Sequence, residues 1–90
     1  MDEHKTGEEL LAEIAQASKQ ITLNATYVHY KGADKLYKPI HFATLESNNE
    51  LCVVYQALYG EKLLFIRPVS IWLETVEWKG KTVQRFAPVV

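Results

Sequence analysis

The chain has 90 residues, of which 48% are apolar and 23% are charged, and its formal net charge is -1. This length supports one domain with a single hydrophobic core, and the composition is that of an ordinary globular protein. Because lysine and arginine are balanced by aspartate and glutamate, a surface for duplex nucleic acid is not predicted. No apolar run approaches the roughly 20 residues that a membrane span requires, so no membrane association is predicted.

The amino terminus and the cysteine content are both typical of a cytoplasmic protein. Residues 1–5 are polar and acidic, and no apolar segment follows them, so a secretory signal is not predicted. Cys52 is the single cysteine, which excludes an intramolecular disulfide. Its place in the most apolar run of the chain predicts a small buried side chain rather than a reactive thiol. We therefore expect a cytoplasmic location.

Residues 6–20 have the periodicity of an amphipathic helix. Thr6 and Glu9 have the spacing of a capping box, in which each side chain accepts a hydrogen bond from a backbone amide at the helix start. A lone helix of this length is marginal in water, so its apolar stripe must pack on the rest of the chain or on a second copy of itself. The sequence leaves both alternatives open for this N-terminal extension, residues 1–22. The predicted stripe consists of Leu10, Leu11, Ile14, Ala15 and Ala17 or Ser18.

From residue 23 onward the pattern changes to short β-rich runs separated by turn residues. Pro39 cannot donate to a ladder, which predicts an edge or a bulge at that position. Residues 69–74 are too few for a free helix and predict a single helical turn after Pro68. Residues 23–90 are therefore predicted to be a mainly β domain, a small SH3-like antiparallel barrel of five to six strands with one short helical turn before the last strands. The predicted strands are Thr26–Tyr30, Leu36–Leu45, Leu51–Tyr59, Leu63–Arg67, Thr75–Trp78 and Thr82–Phe86.

The run from Val53 to Gly60 predicts the central part of this domain. Alternating residues on both of its faces are apolar except for Gln56, so the strand is expected to be covered on both sides. Gly60-Glu61-Lys62 has turn chemistry, and residues 63–66 return as the partner strand of a hairpin. The amide of Gln56 needs hydrogen-bond partners, and pinning of a neighbouring loop is favoured over contact with a ligand.

Several motifs occur in the order and spacing of a known family. They are Tyr27–Gly32, Val53–Gly60, Ile66–Pro68, Trp72–Glu74 and Gly80–Phe86. Over about residues 25–87 the chain therefore resembles the bacterial family named domain of unknown function 1653. The resemblance implies a small SH3-type β-barrel that occurs as a short stand-alone protein, and it implies no activity because the family has none assigned. The chain departs from the family pattern at residues 45–48, where the family has a polar segment, and in its N-terminal helix.

No motif in the chain carries recognisable catalytic chemistry. A nucleophile elbow, a phosphate-binding glycine loop and a Cys/His pairing are all missing, so no catalytic residue and no cofactor is predicted. The histidines His29 and His41 do not have the spacing of metal ligands with Cys52 or Glu74, so no metal site is predicted. Glu74 and Glu77 are expected on opposite faces of a strand, where they do not act as an acid/base pair.

Aromatic and polar residues at strand ends are the candidates for a binding surface. Arg67 ends an apolar strand beside Trp72, and it either pairs with Glu74 and stacks on a ring or contacts an anionic partner. His29 is predicted to be a rim histidine that is hydrogen-bonded to a neighbour. The predicted binding residues are His29, Tyr30, Tyr55, Gln56, Arg67, Trp72 and Glu74.

The sequence supports three hypotheses of function. The first is a non-enzymatic binding module whose aromatic and Arg67 surface recognises a peptide, a protein partner or a small anionic ligand. The second is a small-ligand-processing enzyme domain with a pocket around His29, Tyr55, Arg67 and Glu74. The third is a structural accessory that acts through its N-terminal helix, including as a homodimer. A histidine titration separates the first two, because a strongly shifted His29 that responds to a small molecule favours the pocket.

Overall fold

The computed structural model describes residues 5–89, in which seven strands and two helices form a mainly β fold. In chain order these are α1 (Gly7–Ser18), β1 (Tyr27–His29), β2 (Gly32–Leu45), β3 (Glu50–Ala57), β4 (Leu64–Pro68), α2 (Val69–Trp72), β5 (Thr75–Trp78), β6 (Lys81–Gln84) and β7 (Phe86–Pro88). One antiparallel sheet has the order β4-β3-β2-β1-β7, and β5 and β6 form a separate hairpin. The predicted mainly β fold is confirmed, with seven strands in place of the five or six expected. Closure of the sheets into an SH3-like barrel stays a prediction.

Helix α1 begins with the predicted capping box. The Glu9 amide donates to Thr6 Oγ1 at 3.1 Å, and the Thr6 amide donates to Glu9 Oε1 at 2.8 Å. The end of the helix packs on its own chain, because Ala17 and Ile21 are 3% and 1% exposed and belong to the same core as Tyr27. Of the two alternatives that the sequence left open for the apolar stripe, the structure shows packing on the β domain.

The buried stripe of α1 differs from the predicted one. Leu11 is 67% exposed and Ala15 also faces solvent, whereas Leu10 and Ile14 are half-buried. Positions 10, 14, 17 and 21 recur on one face of a helix, and Leu11 is turned about 100° away from Leu10. The predicted helical periodicity is confirmed, while the assignment of Leu11 and Ala15 to the buried stripe is wrong.

Strand β3 lies inside the large sheet, between β2 and β4. On one face Val53 and Tyr55 are 0% and 5% exposed and belong to the core. On the opposite face Cys52 is buried, but Val54 and Gln56 are only half-buried. The prediction that both faces of the strand are buried therefore holds at Cys52, but the same face is only partly buried at Val54 and Gln56. Burial raises the pKa of the Cys52 thiol, in agreement with the small, unreactive side chain expected there.

Pro39 lies in an inner strand, where a bulge accommodates it. The register between β2 and β3 shifts between Pro39 and His41, which leaves Ile40 as the extra residue. Pro39 is fully buried, and its carbonyl accepts a hydrogen bond from the Asn24 amide at 2.7 Å. The predicted bulge is confirmed, and the alternative of an edge strand is wrong because β2 is paired on both sides.

The last predicted strand, residues 82–86, is divided in the structure. β6 pairs with β5, whereas β7 begins at Phe86 and pairs with β1. Between them, the Arg85 amide donates to the Glu74 carbonyl at 2.9 Å, and the Arg85 carbonyl accepts from the Tyr30 amide at 3.1 Å. The chain thus passes from the small sheet to the large sheet at Arg85. Alternation predicts an extended backbone here but not its partner strand, because pairing depends on residues distant in the sequence.

A chain that lacks residues 1–20 is expected to unfold in a single cooperative transition. The aromatic side chains of the core all lie after this deletion, as does Ile21, so most of the apolar contact area is retained. Loss of Ala17 from the core, together with the half-buried Leu10 and Ile14, should lower the free energy of unfolding by about 2 kcal/mol. Circular dichroism melting measures both effects, and Leu11→Ala in the full chain is the control because Leu11 is exposed. Loss of cooperativity would show that residues 23–90 are not a domain on their own.

Candidate functional site

The core of the β domain is a cluster of packed aromatic rings that includes Trp72. Helix α2 follows Pro68 and carries Trp72 against β3, where the indole is 1% exposed. The indole stacks on Phe86 with ring centroids 3.8 Å apart and an interplanar angle of 5°. Tyr27 and Tyr55 contact it edge-on at 5.4 and 5.0 Å. The single helical turn is as predicted, but Trp72 lies in the core and presents no ring face to a partner.

Arg67 lies near the end of β4 with its guanidinium against this aromatic cluster. Its Nε donates to the Tyr55 hydroxyl at 3.2 Å, and its Cζ lies 5.4 Å from the centre of the Phe86 ring. The expected stacking of Arg67 on an aromatic ring is therefore found. The expected pair with Glu74 is not formed, and within residues 5–89 no carboxylate lies at salt-bridge distance from Arg67. No described side chain neutralises its charge by direct contact.

Arg85 is a second partly buried arginine, supplied by the bend between β6 and β7. Its Nη2 donates to Glu74 Oε1 at 2.9 Å, so Glu74 pairs with Arg85 instead of Arg67. The Arg85 Cζ lies 5.9 Å from the centre of the Tyr30 ring. The Arg85 Nε is buried and has no hydrogen-bond partner among the described residues. A buried donor on a charged group that lacks an acceptor is costly.

His29 lies close to both arginines. Its ring contacts Tyr30 and Phe86 at centroid distances of 4.6 and 5.1 Å. Burial lowers the pKa of His29, and the positive charges of Arg67 and Arg85 lower it further. The lowered pKa favours the neutral imidazole, and both guanidinium groups are near enough to act on it.

Lysines and aromatic side chains form the rim of this region. The Lys31 amide donates to His29 Nδ1 at 3.2 Å, which is a neighbour hydrogen bond of the kind expected for a rim histidine. The Tyr30 ring contacts Trp78 edge-on at 5.2 Å, and Lys79 Nζ lies 5.5 Å from the centre of the Trp78 ring. We call the following four residues the arginine site: His29, Tyr30, Arg67 and Arg85.

Sequence reasoning found one arginine of this site and missed the other. Arg67 stood out because it follows four apolar residues and precedes a proline. Arg85 has no comparable signal, since its partner Glu74 is 11 residues away and that spacing has no regular meaning in extended chain. The available signal was its place beside Phe86 in the last of the family motifs.

Gln56 lies apart from the arginine site. Its Nε2 donates to the Lys62 carbonyl at 3.1 Å, which is the loop pinning that the sequence favoured. Lys62 has a φ of 56, in the left-handed region, so this hydrogen bond holds a strained turn between β3 and β4. The structure brings five of the predicted binding residues together around Phe86 and Arg85: His29, Tyr55 and Arg67 contact Phe86, and Tyr30 and Glu74 contact Arg85.

Other features of the molecule lie outside this site. A groove of about 310 Å³ between α1, β3 and α2 shares no residue with it. Within residues 5–89, no three His, Cys, Asp or Glu side chains are placed to hold a metal ion. No helix in the described part of the chain is long and apolar enough to cross a membrane. The residues that line the groove are Glu13, Gln16, Ala17, Gln20, Glu50, Leu51, Val69 and Ser70.

The fold and the site define a class of protein, a small mainly β domain with two partly buried arginines set against an aromatic core. Residues 25–88 match the sequence profile described as Protein of unknown function (DUF1653). The chain belongs to this family, so the predicted resemblance is confirmed. It is similar to a family member of known crystal structure from Bordetella bronchiseptica, with 33% identity and a TM-score of 0.67, over 78% of this chain and 90% of that one. No curated protein matches the chain.

Proposed function

We propose that this protein is a non-enzymatic binding module whose arginine site holds an anionic group, either the carboxylate of a peptide or protein partner or a small anionic ligand such as phosphate. The observation that supports this most is Arg67, which has no carboxylate partner within residues 5–89. Its Nε is used by the Tyr55 hydroxyl, so a ligand would meet the two terminal nitrogens of the guanidinium.

The partly buried position of the two arginines also supports the proposal. Arg67 is half-buried, and the side chain of Arg85 is 22% exposed. A planar guanidinium can donate two parallel hydrogen bonds to a carboxylate or a phosphate. Because partly buried charges are screened less by salt than exposed ones, these hydrogen bonds should survive at physiological ionic strength.

The two other hypotheses have less support. The groove of about 310 Å³ includes none of the residues proposed for an enzyme pocket, and Glu74 is paired with Arg85 instead of Arg67. The hypothesis of a structural accessory that acts through the N-terminal helix rests on Leu11, which is 67% exposed on α1. A cytoplasmic location stays a prediction.

Titration of His29 by NMR with inorganic phosphate tests the proposal. A bound anion offsets the positive charges that lower the pKa of His29, so phosphate should raise this pKa. By linkage, a given ionic form of phosphate should bind more tightly to the chain when His29 is protonated than when it is neutral. Arg67→Lys keeps the charge but loses the planar fork, so we expect about tenfold weaker binding, equivalent to about 1.4 kcal/mol.

Two controls make this titration specific. The ring signals of His41, which is exposed and outside the arginine site, should not move with phosphate. Lys19→Gln removes an exposed positive charge at the end of α1 and should leave the phosphate affinity unchanged. Equal affinity in the parent chain and in Arg67→Lys, or a His29 pKa that does not respond to saturating phosphate, would contradict the proposal.

A further inference from the structure

One edge of the large sheet, β4, is an exposed apolar strand. β4 pairs with β3 on one side and has no described neighbour on the other. Leu63, Leu64, Phe65 and Ile66 are 57%, 62%, 42% and 56% exposed. Edge strands are commonly protected by a charge, a proline or a bulge. In β4 the charge and the proline, Arg67 and Pro68, lie at the carboxyl end, and residues 63–66 contain none of these. Such an edge is a site for pairing with another strand.

The backbone of this edge presents a defined set of hydrogen-bonding groups. The Ala57 amide donates to the Leu63 carbonyl at 2.9 Å, and Phe65 is opposite Tyr55 in the same register. Because antiparallel ladders alternate, residues 63, 65 and 67 direct their backbone groups toward β3. The amides and carbonyls of Leu64 and Ile66 therefore point to the free edge. Pro68, the next outward position, has no amide to offer.

From this pattern we infer that β4 pairs antiparallel with β4 of a second copy of the chain, about a two-fold axis at Phe65. In this register Leu64 of each copy lies opposite Ile66 of the other. Each of these two residue pairs exchanges two backbone hydrogen bonds, so the four bonds use the free amides and carbonyls of Leu64 and Ile66 in both copies. An axis at Ile66 would place Leu64 opposite Pro68, which has no amide. An axis at Leu64 would place Ile66 opposite Lys62, whose φ of 56 is not that of a strand.

The side chains in this register are also compatible with a second copy. Arg67 lies opposite Leu63 and Lys62 lies opposite Pro68, so no like charges face each other across the axis. Four side chains at about half exposure offer about 400 Å² of apolar surface per copy, and a dimer would bury about 1,000 Å² in total with the backbone included. This is at the lower limit for specific interfaces, so a weak and reversible dimer is expected.

Sedimentation of the full chain, over concentrations from about 1 μM to about 1 mM, tests this inference. The parent chain should change from one copy to two. Leu64→Lys should remain a single copy at about 1 mM, because it places a charge at the centre of the pairing. The matched control is Leu11→Lys, since Leu11 is exposed to a similar extent, 67% against 62% for Leu64, but lies on α1. This control should dimerise like the parent.

A second measurement needs no substitution. Hydrogen exchange of the Leu64 and Ile66 amides should slow at high concentration, whereas exchange of the Phe65 amide, which already faces β3, should not change. A parent chain that stays a single copy at about 1 mM would overturn the inference. Dimerisation that survives Leu64→Lys and is lost in Leu11→Lys would also overturn it, because that result assigns the interface to the N-terminal helix. The inference does not depend on the arginine site.

Discussion

Trp72→Ala is expected to lower the free energy of unfolding by about 3–5 kcal/mol. The indole is 1% exposed, stacks on Phe86 and is contacted edge-on by Tyr27 and Tyr55, so truncation leaves a large cavity among rigid rings. A small domain has a total stability of about 5–10 kcal/mol, so this variant should lose much of its folded population at 37 °C. Urea unfolding followed by circular dichroism at 25 °C measures the loss.

The other tryptophan provides the matched control. Trp78 is half-exposed and contacts Tyr30 at the rim, so Trp78→Ala should cost only about 1–2 kcal/mol. Equal losses for the two tryptophans would contradict the placement of Trp72 in the core. Trp72→Phe keeps an aromatic ring in the stack and should fall between the parent and Trp72→Ala.

Tyr55→Ala should destabilise the chain by about 3–4 kcal/mol, whereas Val54→Ala at the adjacent position should cost about 1 kcal/mol. Tyr55 is 5% exposed and its ring contacts Trp72 and Phe86, whereas Val54 is half-buried on the opposite face of β3. From the sequence, both positions are expected to cost several kcal/mol, because both faces of the strand are apolar. The structure changes that expectation for Val54, whose face of the sheet is only partly covered.

Tyr55→Phe isolates the hydroxyl from the ring. It removes the acceptor of the Arg67 Nε and should cost about 1 kcal/mol, while the ring contacts are kept. Chemical unfolding of the three variants under one set of conditions gives the comparison. A loss for Val54→Ala as large as that for Tyr55→Ala would show that the outer face of β3 is packed in solution, for example by another molecule.

Much of the fold was predictable because its signals are local. The capping box of Thr6 and Glu9 is a short-range hydrogen-bond pattern, and the turn at residues 60–62 needs only residues that tolerate a left-handed backbone. The bulge at Pro39 follows from the missing amide of proline. The order of the family motifs predicted the family, which the match over residues 25–88 confirms.

The candidate site was predictable only in part. Arg67 was found because a charge within an apolar run is unusual, and its contact with an aromatic ring was expected from the same run. The sequence predicted Glu74 as a possible partner of Arg67. In the folded chain the Glu74 carboxylate pairs with Arg85 instead, so Arg67 has no carboxylate partner among the described residues. Trp72 was assigned to the surface because a single helical turn shows no periodicity that separates a buried face from an exposed one.

What can be read from this chain alone is the set of interactions between residues close in sequence, namely helix capping, strand alternation and turn chemistry. Contacts between residues far apart came from the folded structure: the stack of Trp72 on Phe86, the transfer of the chain between sheets at Arg85, and the pairing of Arg85 with Glu74. The exposure of β4 was also visible only in the folded structure, because an apolar run in the sequence looks the same whether the strand lies at the edge of a sheet or inside it. Local patterns fix backbone conformation, but the position of a strand within a sheet depends on which distant strands pair with it.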